Sequence, residues 1–181
     1  MKYTRSMVVM NGDRCVSYMM VAEIALRQAD IKDLAAINKI IDSAIMTWDL
    51  PERVKRLSLP SYHYKQHDLE TLEIIVAEKG EHGIVGVAAW ESANTKDVPQ
   101  GQRALFLHGI YVAPEHYRQG IGSQLLQAAE QAALDNGYVS LLVKAQADAA
   151  GFFLAHGMQP LEIENEKKDY PHRYWKLIEK R

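Results

Sequence analysis

The run ALFLHGIYVAPEHYRQGIGSQLL, residues 104–126, constrains the fold of this chain more than any other stretch. Nine residues that read as a buried strand (104–112) are closed by Pro114, and Gly120 and Gly122 stand where a helix opens. Ile121, Leu125, Leu126, Ala129, Ala132 and Ala133 recur at helical spacing over 120–135, with Asn136-Gly137 as a left-handed stop. Glycine is a poor helix former, so propensity does not explain the pair. A helix N-terminus carries free N–H groups and a partial positive charge, and glycine lets a phosphate approach without a Cβ in the way. A tight turn or close helix–strand packing is the competing reason, and the glycines alone do not choose between the two. A dinucleotide fingerprint requires a third glycine where Leu125 stands, and the Gly-Lys-Ser/Thr of a P-loop is missing.

The rest of the chain alternates strand and helix patterns. EIALRQ (23–28) reads as a first strand, and Asp30 as the N-cap of an amphipathic helix over 31–46, with Asp33 favouring the positive end of its dipole. Pro51 suits the start of a short helix, 51–58, that Pro60 is expected to end. SYHYKQHDLET (61–71) reads as a loop or one irregular turn. LEIIVAEKG (72–80) and GIVGVAAWE (83–91) form a hairpin, and 92–102 a solvent loop. YVSLLVKA (138–145) is a further strand, DAAGFFLAH (148–156) a further helix, and PLEIEN with HRYWKLIE a final strand pair. No repeat or linker divides 23–181, which reads as one α/β domain with a mixed (α+β) sheet. Residues 1–22 read as an N-terminal extension, loosely ordered over 1–21, with Met19 or Met20 as a possible functional start.

Composition narrows the function. A hydrophobic content of 48% with 24% charged residues describes an ordinary globular chain. The formal net charge of −2 supplies no basic field for nucleic acid or an anionic membrane. No apolar run reaches the roughly 18 residues a bilayer span needs. Cys15 is the single cysteine, which excludes an internal disulfide and fits a cytoplasmic location. His63 and His67 are four apart, but Pro60 and the loop-like composition argue against the helix that would make them a metal pair.

IYVAPEHYRQGIGSQLL (110–126), followed by AQADAAGFFLAHGM (145–158), resembles the GNAT superfamily of acetyl-CoA-dependent N-acetyltransferases. The order of elements from Glu23 onward is similar to that family as well. The resemblance implies that the main chain of Ile110, Tyr111 and Val112 binds pantetheine. It implies that the backbone of Tyr117, Arg118, Gln119, Gly120, Ile121, Gly122 and Ser123 holds the pyrophosphate, and that Gln146 and Phe153 flank the cofactor's other side. Three positions depart from the family pattern. Tyr117 replaces a Gln or Arg, with Arg118 beside it; Gln146 replaces an Asn; and Phe153 replaces the Tyr that often protonates the leaving thiolate.

Acetyl transfer from a thioester to an amine needs a neutral amine. With an alkylammonium pKa of about 10.4, roughly one molecule in 10³ is reactive near pH 7, and a positioned base recovers about 10²–10⁴ in rate. A thiol with a pKa of roughly 8.5 leaves more easily, so losing the acid matters less than losing the base. His108, four residues before Val112, stands where the resemblance implies a Glu or, in arylalkylamine acetyltransferases, a His; Glu91 is the second candidate base. The alternative for His108 is a hydrogen-bonded core residue. Tyr111, Tyr170 and Tyr174 are candidate replacement acids. Trp48, Tyr62, Tyr64 and Tyr174, with His63 nearby, fall where acceptor specificity is shaped in the family. The expected partner is a small-molecule amine. Acetylation of a protein or peptide amine and a silent acyl-CoA sensor stay open, as does a homodimer.

Overall fold

In the computed structural model, described for residues 6–11, 14–19, 23–162 and 170–178, two sheets are present. Strands β1 (Ser6–Asn11) and β2 (Arg14–Met19) pair antiparallel as a two-stranded sheet of their own. The sequence reading expected loose order here and overlooked this hairpin. The main sheet begins with β3 (Ile24–Gln28) and continues through β4 (Glu73–Lys79), β5 (Ile84–Ser92), β6 (Ala104–Val112), β7 (Ser140–Lys144), β8 (Gln159–Pro160) and β9 (Arg173–Leu177). Its spatial order is β3-β4-β5-β6-β7-β9-β8. Every neighbouring pair is antiparallel except β6 and β7.

Helices cover both faces, which is why the central strands are nearly continuous apolar runs. Helix α1 (Leu34–Ile45) places Ile37, Ile40, Ile41, Ala44 and Ile45 against Ile74, Val76, Val87 and Ala89. Helix α4 (Ile121–Asp135) buries Ile121, Leu125, Leu126, Ala129 and Ala133 on the other face, against Ala88, Trp90, Leu105 and Leu107. Helix α5 (Ala150–Ala155) adds Phe153 to that second core. A third, smaller cluster joins Val98, Ala104 and Leu142 with Phe106, Leu161 and Trp175.

Asp30 caps the turn leading into α1 as expected, its carboxylate accepting from the Lys32 amide at 2.7 Å. Two expectations fail nearby. Helix α2 (Glu52–Tyr62) runs through Pro60 rather than ending before it. A proline near a helix end forfeits one backbone bond, and the turn continues with Ser61 Oγ donating to the Ser58 carbonyl. The supposed loop 61–71 contains α3 (Gln66–Thr71). Its start is held by Asp68, whose carboxylate accepts from the Lys65 amide at 2.6 Å. Among the described residues no helix is long and apolar enough to cross a membrane.

Candidate active site

The parallel ladder between β6 and β7 runs from Ala104 opposite Ser140 to Leu107 opposite Val143 and then stops. Strand β6 goes on to Val112 with β5 as its neighbour. From His108 onward its main chain therefore has no ladder partner on the β7 side. Buried backbone groups need partners, so a split of this kind is a place for a ligand's amides.

A register shift marks the same point. Trp90 faces Leu107 and Ala89 faces Gly109, leaving His108 without a partner on β5. The extra residue reverses the alternation of the strand. Leu105 and Leu107 before it, and Ile110 and Val112 after it, pack on the same α4-facing core. His108 lies instead on the face of Phe106, ring centroids 4.8 Å apart at 65°. Glu91 pairs with Phe106 across the β5–β6 ladder and so shares that face.

His108 and Glu91, which the sequence offered as rival bases, are hydrogen-bonded to each other. Nε2 of His108 lies 2.8 Å from Oε1 of Glu91, with the two side chains 31% and 44% exposed. An ionised carboxylate only accepts, so the proton in this bond belongs to Nε2, and in the neutral imidazole Nδ1 is then the acceptor.

The turn between β6 and α4 holds the two glycines. Gly120 is left-handed (φ +79°), and a Cβ there would meet no atom within 4 Å, so backbone conformation is what demands glycine. At Gly122 a Cβ would lie 3.3 Å from the Phe152 ring, so this residue lets α5 close on α4. Arg118 is left-handed as well (φ +59°), which is uncommon for a residue with a side chain. The first-turn amides of α4 have no acceptor within the helix. Around them, Gln119 Nε2 donates to the Glu115 carbonyl at 3.4 Å, and Gln119 Oε1 accepts from Lys79. Ser123 Oγ lies 2.9 Å from His156 Nε2, and Ile121 is buried beneath. Tyr117 is exposed, with its hydroxyl 3.3 Å from Thr47 Oγ1.

Gln146 Nε2 donates to the Tyr62 hydroxyl at 3.2 Å, and Tyr62 meets Trp48 edge-on at 5.4 Å. Three sequence-predicted residues are thus brought together. Tyr64 is buried below them, its amide and carbonyl held by the Asn38 side chain. Burial pushes the Tyr64 and Tyr111 phenols well above the usual range, and, more weakly, nearby Asp68 adds for Tyr64 and Tyr64 and Tyr62 for Tyr111. Tyr111 sits in the α1-facing core with its ring over Gly109. Desolvation also raises Tyr170, which lies near enough to Tyr62 to interact with it. Phe153 and Tyr174 stack at 6.0 Å inside the α4-facing core, on the face opposite His108. Of the two histidines, His63 bonds Asp42 and caps the end of α2, whereas His67 lies on α3.

Sequence reasoning missed four participants. Phe106 and Trp175 wall the His108 face, and Lys144 projects beside Phe106. Asp148 accepts from the Asp49 amide at 2.7 Å, tying the α1–α2 loop to the start of α5. Strand alternation would have placed Phe106; the others depend on pairings that no local pattern reveals.

The acetyltransferase (GNAT) family model matches residues 42–158. Two curated rat (Rattus norvegicus) proteins are similar in sequence. N-acetyltransferase 8B is 29% identical over 106 residues, covering 57% of this chain and 44% of its own length. N-acetyltransferase 8F1 is 33% identical over 87 residues, covering 46% and 38%. The match thus spans less than half of either relative. Among solved structures, the PaiA N-acetyltransferase of Thermoplasma acidophilum in complex with coenzyme A superposes with a TM-score of 0.70 at 14% identity, covering 86% of this chain and 99% of that one. At that identity the likeness concerns the fold.

Proposed function

Because this chain belongs to the acetyltransferase (GNAT) family, we propose that it transfers the acetyl group of acetyl-CoA to a primary amine of a small molecule, by direct attack within a ternary complex. The observation that carries the reading is the coincidence of three features at one point. Strand β6 leaves β7 after Leu107, helix α4 opens beyond the same strand, and the His108–Glu91 pair stands at the split.

The residues suit acetyl-CoA. Main chain of 108–112 without a ladder partner on the β7 side supports pairing with pantetheine amides, and the Arg118–Ser123 turn with the α4 amides supports a pyrophosphate grip. When bound, acetyl-CoA supplies the acetyl group as a thioester whose sulfur is a fair leaving group. Nδ1 of His108 accepts the amine proton as the new C–N bond forms and the C–S bond breaks. Glu91 holds the imidazole through Nε2 and balances the charge it gains, as the carboxylate does in other carboxylate–histidine pairs. The departing sulfur needs no tyrosine, consistent with Phe153 and Tyr174 being engaged with each other in the core. Trp48, Tyr62 and Gln146 form an aromatic and amide wall toward the acceptor.

The test is release of free CoA thiol, screened over alkylamines, arylamines, amino acids and short peptides. Turnover with small amines is expected. Acetylation confined to peptides would move the assignment to a protein acceptor. Binding of acetyl-CoA without turnover of any amine would favour a sensor.

A further inference from the structure

Beyond the last paired position, Leu107 opposite Val143, the first residue on β6 is His108 and the first on β7 is Lys144. Both belong to one face of the sheet. Lys144 is two residues on from Leu142, which pairs with Phe106 and clusters with it. The Phe106 ring touches both lips of the split: its centroid is 4.8 Å from that of His108 and 5.6 Å from Lys144 Nζ. Trp175, opposite Leu142 on β9, continues the apolar wall. The Lys144 ammonium has a carboxylate near it, Asp97 at 3.6 Å, with the two side chains 38% and 45% exposed. That separation exceeds the roughly 2.7–2.9 Å of a charge-assisted hydrogen bond, and an exposed pair of this kind holds its members weakly.

We propose that Lys144 binds a carboxylate on the acceptor, so that the preferred acceptor is an α-amino acid with an apolar side chain rather than a simple amine. The inference rests on the acetyl-transfer reading above and names its substrate class. An acceptor nitrogen must reach Nδ1 of His108. An α-amino acid carries its carboxyl carbon two bonds from that nitrogen, which suits two groups packed on a single ring. The ammonium of lysine is a compact charge with three donors, able to take a carboxylate in place of the loosely held Asp97. Phe106 and Trp175 receive the apolar side chain. A cation at this place also disfavours the protonated form of the incoming amine, which is the unreactive one.

The experiment compares kcat/KM for phenylalanine and for phenethylamine in the unaltered protein and in the Lys144→Met and Lys144→Arg variants, with the melting temperature of each. Phenylalanine should be preferred, and Lys144→Met should lower its kcat/KM about tenfold more than that of phenethylamine, chiefly through KM. Lys144→Arg should restore most of the preference. Equal losses for the two acceptors, or a preference for phenethylamine in the unaltered protein, overturn the carboxylate site and leave acetyl transfer standing. No turnover of either, with no other amine accepted, overturns both.

Discussion

His108 and Glu91 define the residue-scale question, because two potential bases joined at 2.8 Å do not act independently. If His108 takes the proton and Glu91 works through it, Glu91→Gln should cost less than His108→Ala, since the amide keeps a hydrogen bond and loses only the charge. His108→Ala should lower kcat/KM for an alkylamine by roughly 10²-fold, with a smaller loss for an arylamine, of which more is already neutral. In the His108→Ala background Glu91→Gln should then have little further effect, because residues acting as a unit are strongly non-additive. Multiplying losses in the double variant would make Glu91 the base in its own right. Both residues were legible in the sequence as candidates, from a family-like strand and from the end of a hairpin. Their union was not legible, because it depends on the register of β5 against β6 and on the extra residue at His108. The glycines were half legible. Gly120 is required by its backbone angle, whereas Gly122 answers to Phe152, a contact that only the tertiary structure supplies.

Elements are joined at the sheet edge by a charged clamp. Arg27 on β3 donates to Asp33 at 2.6 and 2.9 Å and to Glu78 on β4 at 2.6 Å. Asp33 also accepts from the Asp30 amide at 2.8 Å, fixing the entry to α1. Hydrogen bonding to Arg27 holds the Asp33 carboxyl below its usual range against the opposing pull of burial, and the Asp30 amide adds to it. A carboxyl depressed in the folded state contributes stability above its unfolded pKa of about 3.9, and that contribution is lost as pH falls through the lower folded value. Asp33→Asn should therefore destabilise by about 1–2 kcal/mol at pH 7, discounted because the Arg27 side chain is 39% exposed. The gap to the unaltered protein should close below about pH 4. Denaturant titrations from pH 7 to the lowest pH at which the fold persists measure it, and a pH-independent gap would assign the effect to the cap alone. Elements with a long apolar period, α1 and α4, were read from sequence nearly to their ends. Helix α3 was not, since six residues with Leu69 as their one apolar member offer no apolar stripe, and their turn is held by the Asp68 carboxylate. The hairpin β1–β2 was missed for a related reason, its alternation being interrupted by polar residues within MVVMNGDRCVSYM.

At the scale of the whole molecule, the ladder β6–β7 is the parallel seam that joins an antiparallel half, β3 to β6, to a smaller one, β7 to β9. Four ladder pairs close that seam, with the Val139 amide donating to the Arg103 carbonyl just before them, and past Leu107 and Val143 α4 and α5 meet through Gly122 against Phe152 and through Ser123 with His156. A ligand seated in the split would bridge the two halves where the backbone does not. Acetyl-CoA at 100 times its dissociation constant should stabilise the fold by about 2.7 kcal/mol. The added amide-exchange protection should concentrate in 108–112 and 118–124 and extend across the seam into β7 and α5, leaving α2 and β3 little changed. Gly120→Val tests the same arrangement from the protein side. A β-branched residue at φ +79° costs about 1–2 kcal/mol of backbone strain, yet meets no atom within 4 Å, so the free protein should still fold with a somewhat lower melting temperature. Most of the stabilisation by acetyl-CoA should disappear with it, because the turn that presents the α4 amides can no longer hold its shape. Coincident melting temperatures with and without acetyl-CoA in the unaltered protein would remove the ligand from the split. Protection confined to α2 would place it elsewhere on the molecule.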